Sequence, residues 1–104
     1  MVRYFFVLAV CFFCNSANAH QWIKGRVTGI EVSFMPGALY FYLDAGNTAC
    51  PAGKAMKWQN TSAENNKAIH STVLAAMLAG KKLHVVINDN DTTCTVQYLY
   101  ILNE

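Results

Sequence analysis

GRVTGIEVSF, residues 25–34, predicts the strand on which the fold depends. It is rich in β-branched residues, as strands usually are, but Gly29 interrupts the alternation of apolar and polar positions. The apolar positions before and after this glycine are Val27 and then Ile30, Val32 and Phe34. A β-bulge at Gly29 reconciles the two halves, because a bulge inserts one residue and bends the strand. We therefore expect a long first strand that bends.

The residues that follow predict a hairpin and a short third strand. Met35-Pro36-Gly37 is a turn sequence, and residues 38–44 (ALYFYLD) alternate as a second strand. A loop over residues 46–53 contains Cys50, and the third strand is expected over residues 54–59. Three strands therefore precede any helix.

One helix is predicted over roughly residues 62–79. Thr61-Ser62-Ala63-Glu64 fits a capping box, in which the Thr61 hydroxyl accepts a backbone N–H and the Glu64 carboxylate reaches back to the cap. Gly80 is a natural stop after the last turn. The apolar residues that recur at helical spacing are Ile69, Val73, Leu74, Ala76, Met77 and Leu78.

Two further strands, over residues 82–88 and 95–102, complete the order β-β-β-α-β-β. This is the chain order of the OB-fold, a small five-stranded Greek-key barrel with its helix between the third and fourth strands. The bulge at Gly29 suits a strand that bends around a barrel. We predict a mainly β, OB-fold-like barrel as a single domain over residues 20–104. A generic α+β sheet with one helix is the alternative.

Residues 1–19 predict an export signal. Arg3 gives a positive start, Tyr4 to Cys14 form an uninterrupted apolar run, and Ala17-Asn18-Ala19 has the small-x-small pattern of a cleavage site. The apolar run is well short of the roughly 20 residues that cross a bilayer as a helix, so no membrane span is expected. We expect a secreted or periplasmic protein whose mature chain begins at His20.

Removal of this signal leaves two cysteines, Cys50 and Cys94, in an oxidising compartment. The pair predicts one disulfide, because a reactive exchange pair would normally show CxxC spacing. Each cysteine lies just before the third or the fifth predicted strand, and these strands run parallel as neighbours in an OB-fold barrel. A disulfide there would hold the barrel together where it is otherwise open.

Charge does not indicate a nucleic-acid partner. The chain has eight Lys and Arg against six Asp and Glu, and loss of Arg3 with the signal leaves an excess of one positive charge. A nucleic-acid-binding protein usually concentrates its basic residues in a stripe. Here they are spread along the chain, at Lys24, Arg26, Lys54, Lys57, Lys67, Lys81 and Lys82.

Two strands have apolar or aromatic residues on both of their faces, although a small barrel has only one interior to bury them. In the second strand, Leu39, Phe41 and Leu43 alternate with Tyr40 and Tyr42. In the last strand, Val96, Tyr98, Tyr100 and Leu102 alternate with Leu99 and Ile101. Either the helix and a crowded core cover the second face, or it is an oligomer interface, since large exposed apolar patches usually mark contacts.

KAIHSTVLAAMLAGKKLHVVI, residues 67–87, runs from the helix through a glycine into a β-branched strand. Together with the export signal and the strand pair over residues 26–43, this layout resembles the B subunit of subtilase cytotoxin and its relatives. The resemblance implies an OB-fold subunit that assembles into a ring of five, binds cell-surface glycans and carries a separate enzymatic subunit.

Sugar binding by a small domain needs an aromatic platform and converging polar groups. The candidate platform is Tyr40, Tyr42 and Trp58, and the candidate polar partners are Ser33, Asp44 and Asn60. Each has a structural alternative. The tyrosines would belong to a core or interface, Trp58 would pack under the helix, and Asn60 would lead into the helix cap.

Neither catalysis nor a cofactor is predicted. Acid–base chemistry needs titratable groups within hydrogen-bond reach, and His70 and Ser71 are adjacent on the helix and so point to different sides. A mature N-terminal His20 could bind copper through its amine and ring nitrogen if His70 or His84 supplied a further ligand. A disordered terminus is the alternative.

The sequence thus predicts a non-catalytic, oligomeric binding subunit that recognises a cell-surface glycan or a protein partner, and the toxin resemblance implies that the oligomer is a homopentamer. The alternative is a monomeric periplasmic OB-domain that acts as an accessory or inhibitor protein through protein–protein contact.

Overall fold

The computed structural model describes residues 20–104 as five strands and one helix. These are β1 (His20–Glu31), β2 (Leu39–Leu43), β3 (Met56–Trp58), α1 (Ala63–Ala79), β4 (Lys82–Asn88) and β5 (Val96–Ile101). The predicted order of elements is confirmed. The export signal predicted over residues 1–19 lies outside the described residues.

The strands form one sheet in the order β3-β2-β1-β4-β5, and each neighbouring pair is antiparallel. A parallel bridge between Lys57 of β3 and Thr95 brings the two ends of the sheet together. At the same place, the Lys57 amide donates to the Cys94 carbonyl at 2.9 Å. The sheet therefore curls into the predicted OB-fold-like barrel, with β3 and β5 meeting in parallel as that fold requires.

Cys50 and Cys94 form the predicted disulfide beside this closure. Both residues are fully buried, and their Cα atoms are 5.8 Å apart. The bond joins the loop before β3 to the loop before β5. With a sequence separation of 44, the loop-entropy model gives a stabilisation on the order of 4 kcal/mol.

β1 bends where the sequence predicts but covers different residues. Its pairing with β2 shifts register between Val27 and Gly29, which confirms the bulge. The strand includes residues 20–24, ahead of the predicted start at Gly25, because its first half pairs with β4. It ends at Glu31, so the prediction that Val32 and Phe34 continue the strand was wrong. Backbone bonds from Met35 to Val32 and from Gly37 to Phe34 close turns here instead.

The core fills the inside of the barrel with the alternate residues of each strand. In β2, Leu39, Phe41 and Leu43 are buried, while Tyr40 and Tyr42 lie on the outer side and are half-buried. The helix α1 adds Val73 and Ala76 to the same cluster. The other buried apolar residues of the core are Ile23, Val27, Met56, Leu83, Val85, Ile87 and Val96.

The cap of α1 differs from the predicted capping box. Ser62, not Thr61, is the N-cap: its hydroxyl accepts from the Asn65 amide at 3.2 Å. The return bond to the cap comes from Asn60, whose Oδ1 accepts from the Ser62 amide at 2.9 Å, and not from Glu64. Gly80 ends the helix as predicted, in a left-handed conformation with φ of 67°. Within residues 20–104, no helix has the length and apolar character to span a membrane.

Asn66 joins the helix to two other segments. Its side chain is 1% exposed, and its Nδ2 donates to the carbonyls of Pro36 at 2.7 Å and Asn60 at 3.0 Å. Its Oδ1 accepts from the Asn60 amide at 2.9 Å. These bonds satisfy a buried amide and fix α1 against the turn before β2, which the helical pattern alone did not predict.

Replacement of Ser62 by alanine is expected to lower the free energy of unfolding by about 1 kcal/mol, because the first turn of α1 loses its cap. Urea denaturation followed by circular dichroism measures this loss. Thr61→Ala is the matched control and is expected to cost less than about 0.5 kcal/mol. A larger loss of stability from Thr61→Ala than from Ser62→Ala would contradict Ser62 as the N-cap and support the capping box predicted from the sequence.

Candidate binding surface on the outer face of the barrel

Strands β1, β4 and β5 place a group of aromatic side chains on the outside of the barrel. Trp22 lies opposite Val86, and His84 lies opposite Tyr100. Because side chains alternate along a strand and the residues between these point into the core, the rings share the outer face. We define the aromatic face as His20, Trp22, His84, Tyr98 and Tyr100.

The rings of the aromatic face lie close together but remain open to solvent. The Trp22 and His84 centroids are 4.8 Å apart, and those of His84 and Tyr100 are 5.6 Å apart and near perpendicular. His20 meets Tyr98 edge-on at 6.2 Å. Trp22 is 69% exposed, and Tyr98 and Tyr100 are each more than half exposed. Large rings left contiguous and exposed usually mark a contact surface.

A groove of about 600 Å³ runs across this face. Val86, only 8% exposed, provides an apolar floor. The lining residues are His20, Trp22, His84, Val86, Tyr100, Ile101 and Leu102. The volume lies within the range of sites that bind small molecules, so the groove can take one flat, partly apolar ligand such as a sugar ring.

The charges beside the groove are largely paired. Lys24, next to Trp22 on the outer side of β1, meets the Glu104 carboxylate at 2.9 Å, and Lys82 lies 3.8 Å from the same oxygen. The Lys24 hydrogen bond is the largest cause that lowers the pKa of Glu104. This exposed network adds little to stability, but it leaves the edge of the groove without a concentrated basic patch.

The aromatic platform predicted from the sequence is divided between the two sides of the sheet. Tyr40 and Tyr42 lie on the outer side of β2, where the Tyr40 ring is 5.5 Å from Phe34. Trp58 pairs with Leu39 and so lies on the inner side, against the core. Its indole Nε1 donates to the Asn65 side chain at 2.9 Å. The structural alternative for Trp58, packing by the helix, matches these contacts.

The predicted polar partners do not converge on those tyrosines. Asp44 accepts from the Arg26 amide at 2.8 Å, Asn60 leads into the cap of α1, and Ser33 is exposed in the turn after β1. The structure thus brings Tyr40 and Tyr42 onto one face but does not assemble the six residues into one site. Ligand binding by any of them stays a prediction.

The copper hypothesis needs two histidines that the sheet keeps apart. His20 is opposite Asn88 and His84 is opposite Lys24, an offset of roughly 13 Å along paired strands. His70 lies on α1. Among residues 20–104, no group of three His, Cys, Asp or Glu side chains is placed to share a metal ion.

The sequence interpretation missed Trp22 because the predicted first strand began only at Gly25. No clear periodic signal marks it in the sequence, because the apolar residues Trp22 and Ile23 are adjacent and do not alternate with polar ones. Tyr98 and Tyr100 were recognised as apolar surplus in the last strand but not as part of a binding surface.

Comparison with models of protein families, with curated proteins and with solved structures found no match to this chain.

The two tryptophans are expected to differ sharply in access to solvent. Trp58→Phe leaves Trp22 as the only indole in residues 20–104, and Trp22→Phe leaves Trp58. Acrylamide should quench the fluorescence of the first variant with a Stern–Volmer constant several times that of the second, because Trp22 is exposed and Trp58 packs on the core. Equal constants would contradict the outward position of Trp22.

Proposed function

We propose that this protein binds glycans without chemical turnover, and that the aromatic face is its binding surface. The observation that supports this most directly is Trp22. Its ring is 69% exposed, yet its backbone lies inside a long strand that pairs with β4. A large ring held at the surface by a rigid sheet is well suited to bind a ligand and contributes little to the core.

The chemistry of sugars matches that of the aromatic face. A pyranose presents apolar C–H groups on its ring faces and hydroxyls around its edge, so it packs on aromatic rings while it hydrogen-bonds at its rim. In the groove, Trp22 offers a ring face, and the His84 imidazole and Tyr100 hydroxyl offer donors and acceptors. Val86 adds an apolar floor.

Rigidity favours binding by this face. Tyrosine and tryptophan lose little conformational entropy when they bind, because each has only two side-chain torsions. The contacts between Trp22, His84 and Tyr100 restrict these torsions further before a ligand arrives. Less of the binding free energy is then lost in ordering side chains.

Export to the periplasm or outside the cell is part of the proposal. The buried Cys50–Cys94 disulfide is compatible with an oxidising compartment, and glycans are abundant at cell surfaces. The ring of five and the separate enzymatic subunit implied by the toxin resemblance stay predictions.

A second candidate function is docking of a protein strand, and it is favoured by β5. This strand pairs with β4 along one edge, and among residues 20–104 the bridge to β3 on the other side is made by Thr95, just before β5 begins. Its sequence, Val96–Ile101, contains no charged residue and no proline, which are the usual means of protecting an exposed edge. A strand from a neighbouring copy or from another protein could add here through main-chain hydrogen bonds.

Light scattering on a sizing column tests whether the partner at the β5 edge is a neighbouring copy of this chain or another protein. A mass of several chains, five in the case of a ring, would support neighbouring copies as the partner. A mass of one chain at all concentrations would contradict both the ring and pairing between copies at this edge.

A glycan array with the oxidised protein tests the main proposal. The wild type is expected to bind a related group of glycans, and Trp22→Ala to weaken that binding at least about tenfold, which is 1.4 kcal/mol. Leu78→Ala is the control, since Leu78 is an exposed apolar side chain on α1 and does not line the groove. Absence of binding to any glycan, or equal binding by Trp22→Ala, would contradict the proposal.

A further inference from the structure

Trp22 also lines a second concavity, with a volume of about 510 Å³. We call it the polar cup; its lining residues are Gln21, Trp22, Asn47, Thr48, Ala49, Asn90 and Thr92. Among residues 20–104, Trp22 is the one lining residue that the polar cup shares with the groove. The same indole therefore stands between an aromatic groove and a cup of amides and hydroxyls.

Gln21 joins the two loops that form the walls of the polar cup. Its Oε1 accepts from Asn47 Nδ2 at 2.8 Å, in the loop before β3. Its Nε2 donates to Asp89 Oδ1 at 2.6 Å, in the loop before β5. Asn47 is itself fixed, because its Oδ1 accepts from the Cys50 amide at 2.7 Å. One side chain of β1 thus positions both walls.

The disulfide links the same two loops. Cys50 lies in the loop that contains Asn47, and Cys94 lies in the loop that contains Asp89. In the second loop, Asp91 accepts from the side chain and the amide of Thr93, and the side-chain bond is the largest cause that lowers the pKa of Asp91. The walls are therefore held in place before any ligand binds, which reduces the entropy cost of binding.

Three polar side chains of the cup remain free for a ligand. Within residues 20–104, the hydroxyls of Thr48 and Thr92 and the side-chain amide of Asn90 make no hydrogen bond to the protein, whereas Gln21 and Asn47 are already paired. The free groups are uncharged donors and acceptors. None of the residues among 20–104 that line the cup carries a charge.

We propose that the polar cup is a second sugar subsite, and that the ligand is an oligosaccharide of at least two rings. This rests on the proposed function. One ring packs in the aromatic groove, the next enters the polar cup, and Trp22 contacts both. The ring in the cup is neutral, a hexose or an N-acetylhexosamine, since the residues that line the cup are uncharged. Trp22 contributes to both subsites and Asn90 only to the second.

Isothermal titration calorimetry with neutral hexose and N-acetylhexosamine mono-, di- and trisaccharides tests the subsite. For the wild type, the disaccharide that binds best is expected to bind at least tenfold more tightly than its monosaccharide. Asn90→Gly should remove most of that gain and leave monosaccharide affinity unchanged. Glycine is the suitable replacement because Asn90 has a φ of 61°, which glycine adopts without strain.

Two further variants keep the test decisive. Thr48→Ala is expected to reduce the disaccharide gain in the same way, at a position with no unusual backbone angle. Tyr100→Ala, in the groove, should instead weaken monosaccharide and disaccharide alike. Thermal unfolding followed by circular dichroism confirms that each variant is folded.

The outcomes separate this inference from the proposed function. Equal affinity for monosaccharides and disaccharides, or an unchanged gain in both Asn90→Gly and Thr48→Ala, would overturn the second subsite while glycan binding stands. Tighter binding of a uronic-acid disaccharide than of its neutral counterpart would overturn the neutral assignment. Absence of binding by every sugar would overturn the proposed function itself.

Discussion

The Cys50–Cys94 disulfide is the constraint on which the rest of this structure depends. The sheet closes between β3 and β5 through a single bridge at Lys57 and Thr95, and a chain of this size buries too little apolar surface to be more than marginally stable without a covalent link or a partner. The bond lies where that closure is weakest. It also links the two loops that wall the polar cup, so one bond holds both the closure of the barrel and the walls of the proposed second subsite.

A closed barrel has one interior, and this explains why the aromatic face is exposed. Leu39, Phe41 and Val85 fill the inside, so the alternate residues of β1, β4 and β5 must face outward. The order of elements, the bulge at Gly29 and the disulfide could be predicted because each depends on local signals: periodicity, a glycine out of phase, and a cysteine pair after a predicted export signal.

The remaining features depend on contacts that are distant in sequence or on register. The start of β1 is set by pairing with β4, and Asn60 caps Ser62 through a bend that no helical pattern indicates. Trp58 could not be assigned a side, because β3 has only three residues and its orientation follows from pairing with β2. The predicted sugar platform therefore combined residues from opposite sides of the sheet. The aromatic face could not be predicted, because it is visible only when the register of β1, β4 and β5 is known.

The most direct test of the account uses the indole N–H signals of Trp22 and Trp58 in a ¹H–¹⁵N spectrum of the labelled protein. The probe is the glycan that binds best on the array, added to saturation. The account predicts that the Trp22 indole signal shifts, together with the backbone amides of His84 and Tyr100, and that the Trp58 indole signal stays in place. A shift at Trp58 or around Tyr40 and Tyr42 with Trp22 unchanged would contradict it.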